Sequence, residues 1–248
     1  MSNKVLYIVS CFTMAILLAQ CAPAITKKYI NKKNNQVMEK IDVNALLKAK
    51  RIENSEKKVV VENKTYFPDG RVSNLDYYEE NYKTGKTTTI SWTPTRISKR
   101  IYTIDSPIVQ IYTFYPDGSL KAQYDKYVGN ITKGRSMGEF IFSSGYDVVI
   151  GKLYLYDEDG NIEKVTDYDE KYPFSIEQVL KLMKEKYEAN IKYMKISQRG
   201  LGVRNFDTDK PYWEVVYTSS EKRGEWLLHI DGKTGEVTEK GEFIVHES

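Results

Sequence analysis

Three Asp-Gly pairs, each set between an aromatic run and a returning aliphatic residue, constrain this chain more than any other feature. They stand at Asp69-Gly70, Asp117-Gly118 and Asp159-Gly160, 48 and 42 residues apart. The surrounding segments align as Thr65-Tyr-Phe-Pro-Asp69-Gly70-Arg-Val72, Thr113-Phe-Tyr-Pro-Asp117-Gly118-Ser-Leu120 and Tyr154-Leu-Tyr-Asp-Glu158-Asp159-Gly160-Asn-Ile162. Glycine takes positive φ without steric cost and aspartate tolerates the left-handed region. Asp-Gly between such runs therefore marks a hairpin, read here as a two-residue turn. Recurrence at this spacing implies a repeated supersecondary unit, a pair of β-hairpins. Lys83-Thr84-Gly85-Lys86, Lys133-Gly134 and Ser144-Gly145 supply further turn signals in the gaps. Residues 58–172 are thus predicted to form an antiparallel meander rather than alternating strands and helices. Tyrosine, 20 of 248 residues, suits that reading because it favours strands and offers amphipathic contact area.

Residues 173–248 follow a different pattern. Ser175-Ile-Glu-Gln178 is a capping box, with Phe174 and Val179 placed as a hydrophobic staple. Ile176, Val179, Leu180, Met183 and Tyr187 recur at helical spacing, predicting a helix from Ile176 to about Ala189. Strands are predicted at Lys192–Ser197, Tyr212–Thr218, Glu225–Ile230 and Glu236–Ile244. The expected core sets Ile176, Val179, Leu180 and Met183 against Trp213, Val215 and either Leu227 or Leu228, in a unit that folds independently from about Pro173. The fold class is α+β, mostly antiparallel β: a hairpin-repeat meander followed by a small helix-plus-sheet domain.

At the other end, Lys4 precedes an almost wholly apolar run from Val5 to Leu18. One positive charge and a short apolar run are the layout of a signal peptide, and the run is shorter than the roughly 20 residues a membrane span needs. Leu18-Ala19-Gln20-Cys21 resembles a lipoprotein box, whose cysteine is acylated and becomes the first mature residue. Gln20 departs from the Gly, Ala or Ser such boxes carry. Ordinary cleavage after Ala19 or after Ala22-Pro23-Ala24 is the competing expectation. The only cysteines are Cys11 and Cys21, so no disulfide framework or thiolate metal site follows residue 21. Residues 1–21 are read as a signal peptide with a lipobox-like end. Residues 22–57, rich in Lys and Asn, are read as a tether in which Asp42–Ile52 can form a short helix.

Three further likenesses rest on particular residues. Asn81-Tyr-Lys-Thr-Gly85-Lys86 and Asn130-Ile-Thr-Lys-Gly134-Arg-Ser-Met-Gly138-Glu-Phe140 resemble MORN-like repeats, often labelled antitoxin components, though spaced further apart than in that family. Tyr154 to Tyr168 looks like the tyrosine-aspartate repeats of Rhs-type surface proteins. The capped helix, Tyr212-Trp-Glu-Val-Val-Tyr217, and Trp226-Leu-Leu-His-Ile230-Asp231-Gly-Lys-Thr-Gly235-Glu-Val237 resemble a PepSY domain. In that pattern Asp231 accepts backbone N–H groups and Gly235 takes positive φ. The insert from Arg199 to Lys210 departs from the compact PepSY form. The PepSY likeness implies a regulatory or inhibitory role towards a partner such as a peptidase; the repeat likeness implies an antitoxin-like or cell-surface contact role.

Motifs for chemistry are sparse. The two histidines, His229 and His246, have no partner cysteine and form no His-x-x-x-His pair, which argues against zinc. There is no Gly-x-Ser-x-Gly elbow and no phosphate-binding glycine loop. Asp157-Glu-Asp159-Gly-Asn161-Ile-Glu163 has calcium-like alternation but lacks the full loop spacing, and a hairpin turn explains it. Formal charge is +3 from 37 basic against 34 acidic residues, too balanced for nucleic acid. The expectation is a non-catalytic, cofactor-free, metal-free envelope protein. It is anchored to a membrane through lipid on Cys21, outer membrane or periplasm-facing, or else secreted. It binds an unidentified protein through Arg199 and Arg204 in the glycine-hinged insert. An envelope hydrolase acting on peptide or glycan through a carboxylate pair is the alternative.

Overall fold

The computed structural model describes residues 24–31, 36–129, 131–133, 140–142, 145–189, 194–199, 210–218 and 225–243. The signal segment with Cys11 and Cys21, most of the 130–144 repeat, the 200–209 insert with Arg204, and His246 lie outside them.

The chain opens with a hairpin, β1 (Thr26–Asn31) and β2 (Gln36–Ile41), followed by one helical turn, α1 (Val43–Leu47). This corrects the tether reading. Met38, Ile41 and Leu46 are fully buried, each side chain contributing about 1.5–3 kcal/mol by leaving water. The helix is shorter than the Asp42–Ile52 predicted: Asp42 caps it by accepting from the Ala45 N–H, and the chain leaves helical geometry after Lys48.

The meander then runs as β3 (Ile52–Glu53), β4 (Lys57–Tyr66), β5 (Val72–Asn81), β6 (Lys86–Thr93), β7 (Arg96–Thr103), β8 (Ile108–Phe114) and β9 (Leu120–Tyr127), each antiparallel to the one before. A small separate pair, β10 (Ile131–Lys133) and β11 (Phe140–Phe142), leads to the long β12 (Gly145–Tyr156) and β13 (Ile162–Asp167). The helical turn α2 (Tyr168–Lys171) leads to α3 (Ile176–Lys186), and β14 (Lys195–Arg199), β15 (Tyr212–Thr218), β16 (Glu225–Asp231) and β17 (Val237–Phe243) complete the chain. The result is mostly antiparallel β in the α+β class.

The three Asp-Gly turns are one structure used three times. In each, the first residue donates its N–H to the fifth residue's carbonyl and accepts from the glycine N–H: Phe67 with Arg71 and Gly70, Tyr115 with Ser119 and Gly118, Asp157 with Asn161 and Gly160. The glycines have φ of 82°, 88° and 80°. The loops are therefore three residues long with a glycine bulge, not two-residue turns, and a register shift sits beside each.

β12 joins the two halves. One of its edges pairs with β9. The other is divided, Gly145–Asp147 pairing parallel with β14 and Lys152–Tyr156 antiparallel with β13. Gly151, at φ 63°, lies where the β12–β9 register slips, and its N–H is taken by the Asp169 carboxylate at 2.9 Å. Beyond the parallel pairing, the Gln198 amide stands in for a strand, donating to the Val149 carbonyl at 2.8 Å and accepting from the Val149 N–H at 2.9 Å. The main sheet is thus continuous over thirteen strands.

Register places the two larger buried clusters on the same face, because Tyr127 pairs with Ile108 in β8 and with Val148 in β12, while the smaller group of Tyr102, Val109, Ile111 and Val128 lies on the other. On that inner face β1, β2 and α1 cover Val59, Leu75, Ile90, Ile97 and Phe114. Further along it, α3 covers the C-terminal strands: Ile176, Val179 and Met183 pack with Trp213, Val215, Tyr217, Leu228 and Ile230. Leu228, not Leu227, joins this core, and Leu180 is only half-buried. The predicted capping box is present, Ser175 N–H donating to the Gln178 side chain at 2.7 Å. Tyr146 and Val148 from β12 belong to the same cluster, so the boundary at 173 divides the secondary structure without dividing the core.

Candidate functional site

Two places bring chemistry together. The first is a cavity of about 620 Å³ between α1, the 48–54 segment and the inner face of β4–β7. Its apolar wall is Ile25, Ala45, Ala49, Ile52, Val59 and Ile90. Deeper in, the Tyr77 hydroxyl donates to Glu79 at 2.6 Å and Lys57 stands 3.3 Å from the same carboxylate oxygen. Burial, and then the Glu79 bond, push the Tyr77 phenol far above its usual range, so it stays neutral. Lys99, almost fully buried, pairs with Glu39 at 2.7 Å and lies over the Tyr112 ring. The charges inside this cavity are thus engaged with one another. Its mouth carries the exposed Lys48, Lys50 and Arg51.

The second is the outer face of the C-terminal sheet. Alternation sends Tyr212 and Glu214 away from α3, opposite Trp213 and Val215. Arg199 ends β14 and donates through Nη2 to Glu214 at 2.7 Å and through Nε at 3.1 Å. His229 Nε2 lies 3.9 Å from the other Glu214 oxygen, directly across the strand pair, and its ring centroid is 4.8 Å from that of Tyr212. Arg199 therefore belongs to a half-exposed Arg-Glu-His-Tyr patch at the root of the 200–209 insert. The sequence singled out Arg199 but not its companions. The signal was available, since Glu214, His229 and Tyr212 fall at outward positions of the predicted strands. Arg204 and Cys21 lie outside the described residues.

Between the halves, a cleft of about 460 Å³ is lined by Asp125, Asp169 and Glu177 beside Tyr168, Tyr172 and Gln198. Burial holds the Asp125 carboxyl above its usual range. Asp169 accepts from Gly151, and Glu177 from the Ser175 hydroxyl at 2.7 Å. Among the described residues no cluster of three or more His, Cys, Asp or Glu is set to hold a metal, and no helix is long and apolar enough to cross a membrane. Asp231 accepts from the Lys233 and Thr234 N–H groups at 2.8 Å, which lower its pKa, and Gly235 has φ 76°. That aspartate is accounted for by its turn. No family model matches this sequence, and neither a curated protein nor a solved structure matches it.

Proposed function

We propose that this is a non-catalytic envelope protein, anchored by lipid on Cys21, that contacts another protein through the outer face of its C-terminal sheet. The observation that carries the reading is the Arg199–Glu214–His229–Tyr212 patch, held on rigid strands where the insert bearing Arg204 departs. Arginine and tyrosine are favoured at interfaces because they combine directed hydrogen bonds with broad contact area at modest entropic cost. The PepSY-like and MORN-like resemblances favour a regulatory, inhibitory or antitoxin-like role. Nucleic acid is not a proposed partner, and no cofactor enters the reading.

Two results test it. Cys21→Ala is expected to move the protein from the membrane to the soluble fraction, because a multiply acylated cysteine supplies stable anchoring. Soluble wild-type protein with a mature N-terminus at Gln20 or Ile25 would sink the lipid anchor. In a pull-down from envelope extracts, Arg199→Ala with Arg204→Ala should weaken the partner complex. The Arg199–Glu214 pair is exposed, so the melting temperature should shift by no more than roughly 1 kcal/mol of stability implies. Unfolding of this double variant would make the arginines structural.

One observation favours a second reading. A carboxyl raised by burial in a cleft with two other carboxylates is what a general acid in glycan hydrolysis requires. Turnover of peptidoglycan or peptide by the purified protein, abolished by Asp125→Asn, would select the hydrolase over the binding protein.

A further inference from the structure

A cavity that sets an apolar strip of Ile25, Ala45, Ala49, Ile52, Val59 and Ile90 beside mutually engaged inner charges, with exposed lysines at its rim, is matched to an amphiphile with one negative end. At about 620 Å³ it falls within the roughly 300–1,000 Å³ of small-molecule sites. Five cationic side chains and two carboxylates line it; Glu79 is held by Tyr77 and Lys57, and Lys99 by Glu39. An apolar tail can enter past Ala49 and Ile52 without meeting an uncompensated charge. Lys48 and Lys50 are exposed and make no ion pair with a described residue, which leaves them available to an anion at the entrance.

Position supplies the source of the ligand. Ala24 and Ile25 line this cavity, and Cys21 precedes Ala24 by three residues. Three extended residues reach at most about 10–11 Å. A lipid on Cys21 would hold the mouth against the headgroup layer, where an anionic leaflet attracts basic side chains. We propose that the cavity beneath α1 takes one acyl chain of an anionic membrane phospholipid, with Lys48 and Lys50 on the phosphate while Arg51 stays paired with Glu53. The proposal rests on the Cys21 reading only for the identity of the adjacent membrane.

The test uses exported protein recovered from the soluble fraction. This is Cys21→Ala if the wild type is membrane-bound and the wild type itself if it is not. Failure of the anchor is thereby read separately, from the mass of the mature N-terminus. Titration with a long-chain lysophosphatidylglycerol below its micelle concentration should saturate at one molecule per chain, while glycerol phosphate, which lacks the tail, should not bind. On binding, amide hydrogen exchange should slow at 45–54 and stay unchanged at 225–243. Ala49→Trp fills the entrance and should abolish binding while the protein still melts cooperatively. Lys48→Glu with Lys50→Glu should weaken binding to phosphatidylglycerol vesicles by at least roughly thirty-fold, since loss of two basic groups at an anionic surface alone accounts for about that much. No binding of the lysolipid, or binding without protection at 45–54, overturns the proposal. Vesicle binding sensitive to the charge reversals but unchanged in folded Ala49→Trp also overturns it, since the lipid is then met only at the surface.

Discussion

Replacing Gly118 with alanine should lower stability by about 4 kcal/mol or more, whereas the same change at Gly70 should cost only about 1–2 kcal/mol. The two glycines occupy equivalent turns at φ 88° and 82°, so the backbone strain of a non-glycine residue is common to both. They differ in what a new methyl group meets. At Gly70 there is nothing within 4 Å; at Gly118 the Cβ would enter the Ile41 carbonyl, with the Val43 side chain also in contact. The reason is that Gly118 is a docking point. Its carbonyl accepts from the Ile41 N–H at 2.9 Å, Lys40 and Ser119 form a β-bridge, and Lys40 reaches Asp117 at 3.2 Å. Gly160→Ala should fall between, because Asn31 and the Tyr29 hydroxyl stand 3.2 and 3.3 Å from its would-be Cβ and can yield slightly. For a chain of this size the Gly118 variant should melt roughly 8–16 °C lower. Trypsin should cut it early at Lys27, Lys28 and Lys40 in the undocked hairpin. Equal melting of the Gly118 and Gly70 variants would show that the β8–β9 turn does not hold β1 and β2.

Trp213→Ala should cost about 3–5 kcal/mol, because the indole is fully buried and the surrounding helix and strands can close only part of the void. Its ring lies 4.9 Å from that of Tyr172, and Nε1 donates to the Phe174 carbonyl at 2.9 Å, fixing the chain as it enters α3. Trp213→Phe keeps most of the packing and removes the donor, so it isolates the hydrogen bond, at about 1–3 kcal/mol for a carbonyl left unsatisfied. Urea unfolding separates the two. Wild-type stability in the phenylalanine variant would dismiss the bond, and a loss under about 1 kcal/mol in the alanine variant would dismiss the core. Hydrogen exchange in Trp213→Ala should rise at 194–199, 210–218 and 225–243 while strands between 57 and 114 stay protected, since the meander's cluster is made of other residues.

The C-terminal unit was the most legible part. Its helix start is written in Ser175 and Gln178, its core in the spacing of Ile176, Val179 and Met183, and Tyr212–Thr218 lies where alternation puts it. The meander was legible through its turns, though Asp-Gly alone does not distinguish a two-residue turn from a three-residue loop with a bulge. The N-terminal layer was not legible. β1 and β2 bury few side chains, and the outward Ile30 and Val37, 62% and 61% exposed, blur the alternation. Asn31 reads as a linker residue, yet it is buried and donates to the Gly160 carbonyl at 2.7 Å. Only the distant turn explains it. The 620 Å³ cavity was equally hidden, because its walls come from β1, α1 and five meander strands, β3 to β7, and no local pattern announces that convergence.

The divided edge of β12 also sets an order of events. Each meander hairpin closes a short loop, which costs little chain entropy and proceeds quickly. β14, by contrast, must lie parallel to a strand beginning at Gly145 while its own first residue is Lys195, with β13 and both later helices between. Parallel pairing of that kind waits for a template. Until β9 has laid β12 in place and β13 has taken the far half of its edge, the C-terminal strands have no sheet to extend and α3 lacks Tyr146 and Val148 beneath it. A chain delivered N-terminus first meets this requirement in sequence, with the early hairpins assembling before the last strands arrive. The near half of β12 is then an unpaired edge awaiting its own chain, which makes that interval the stage at which a second copy could pair in its place.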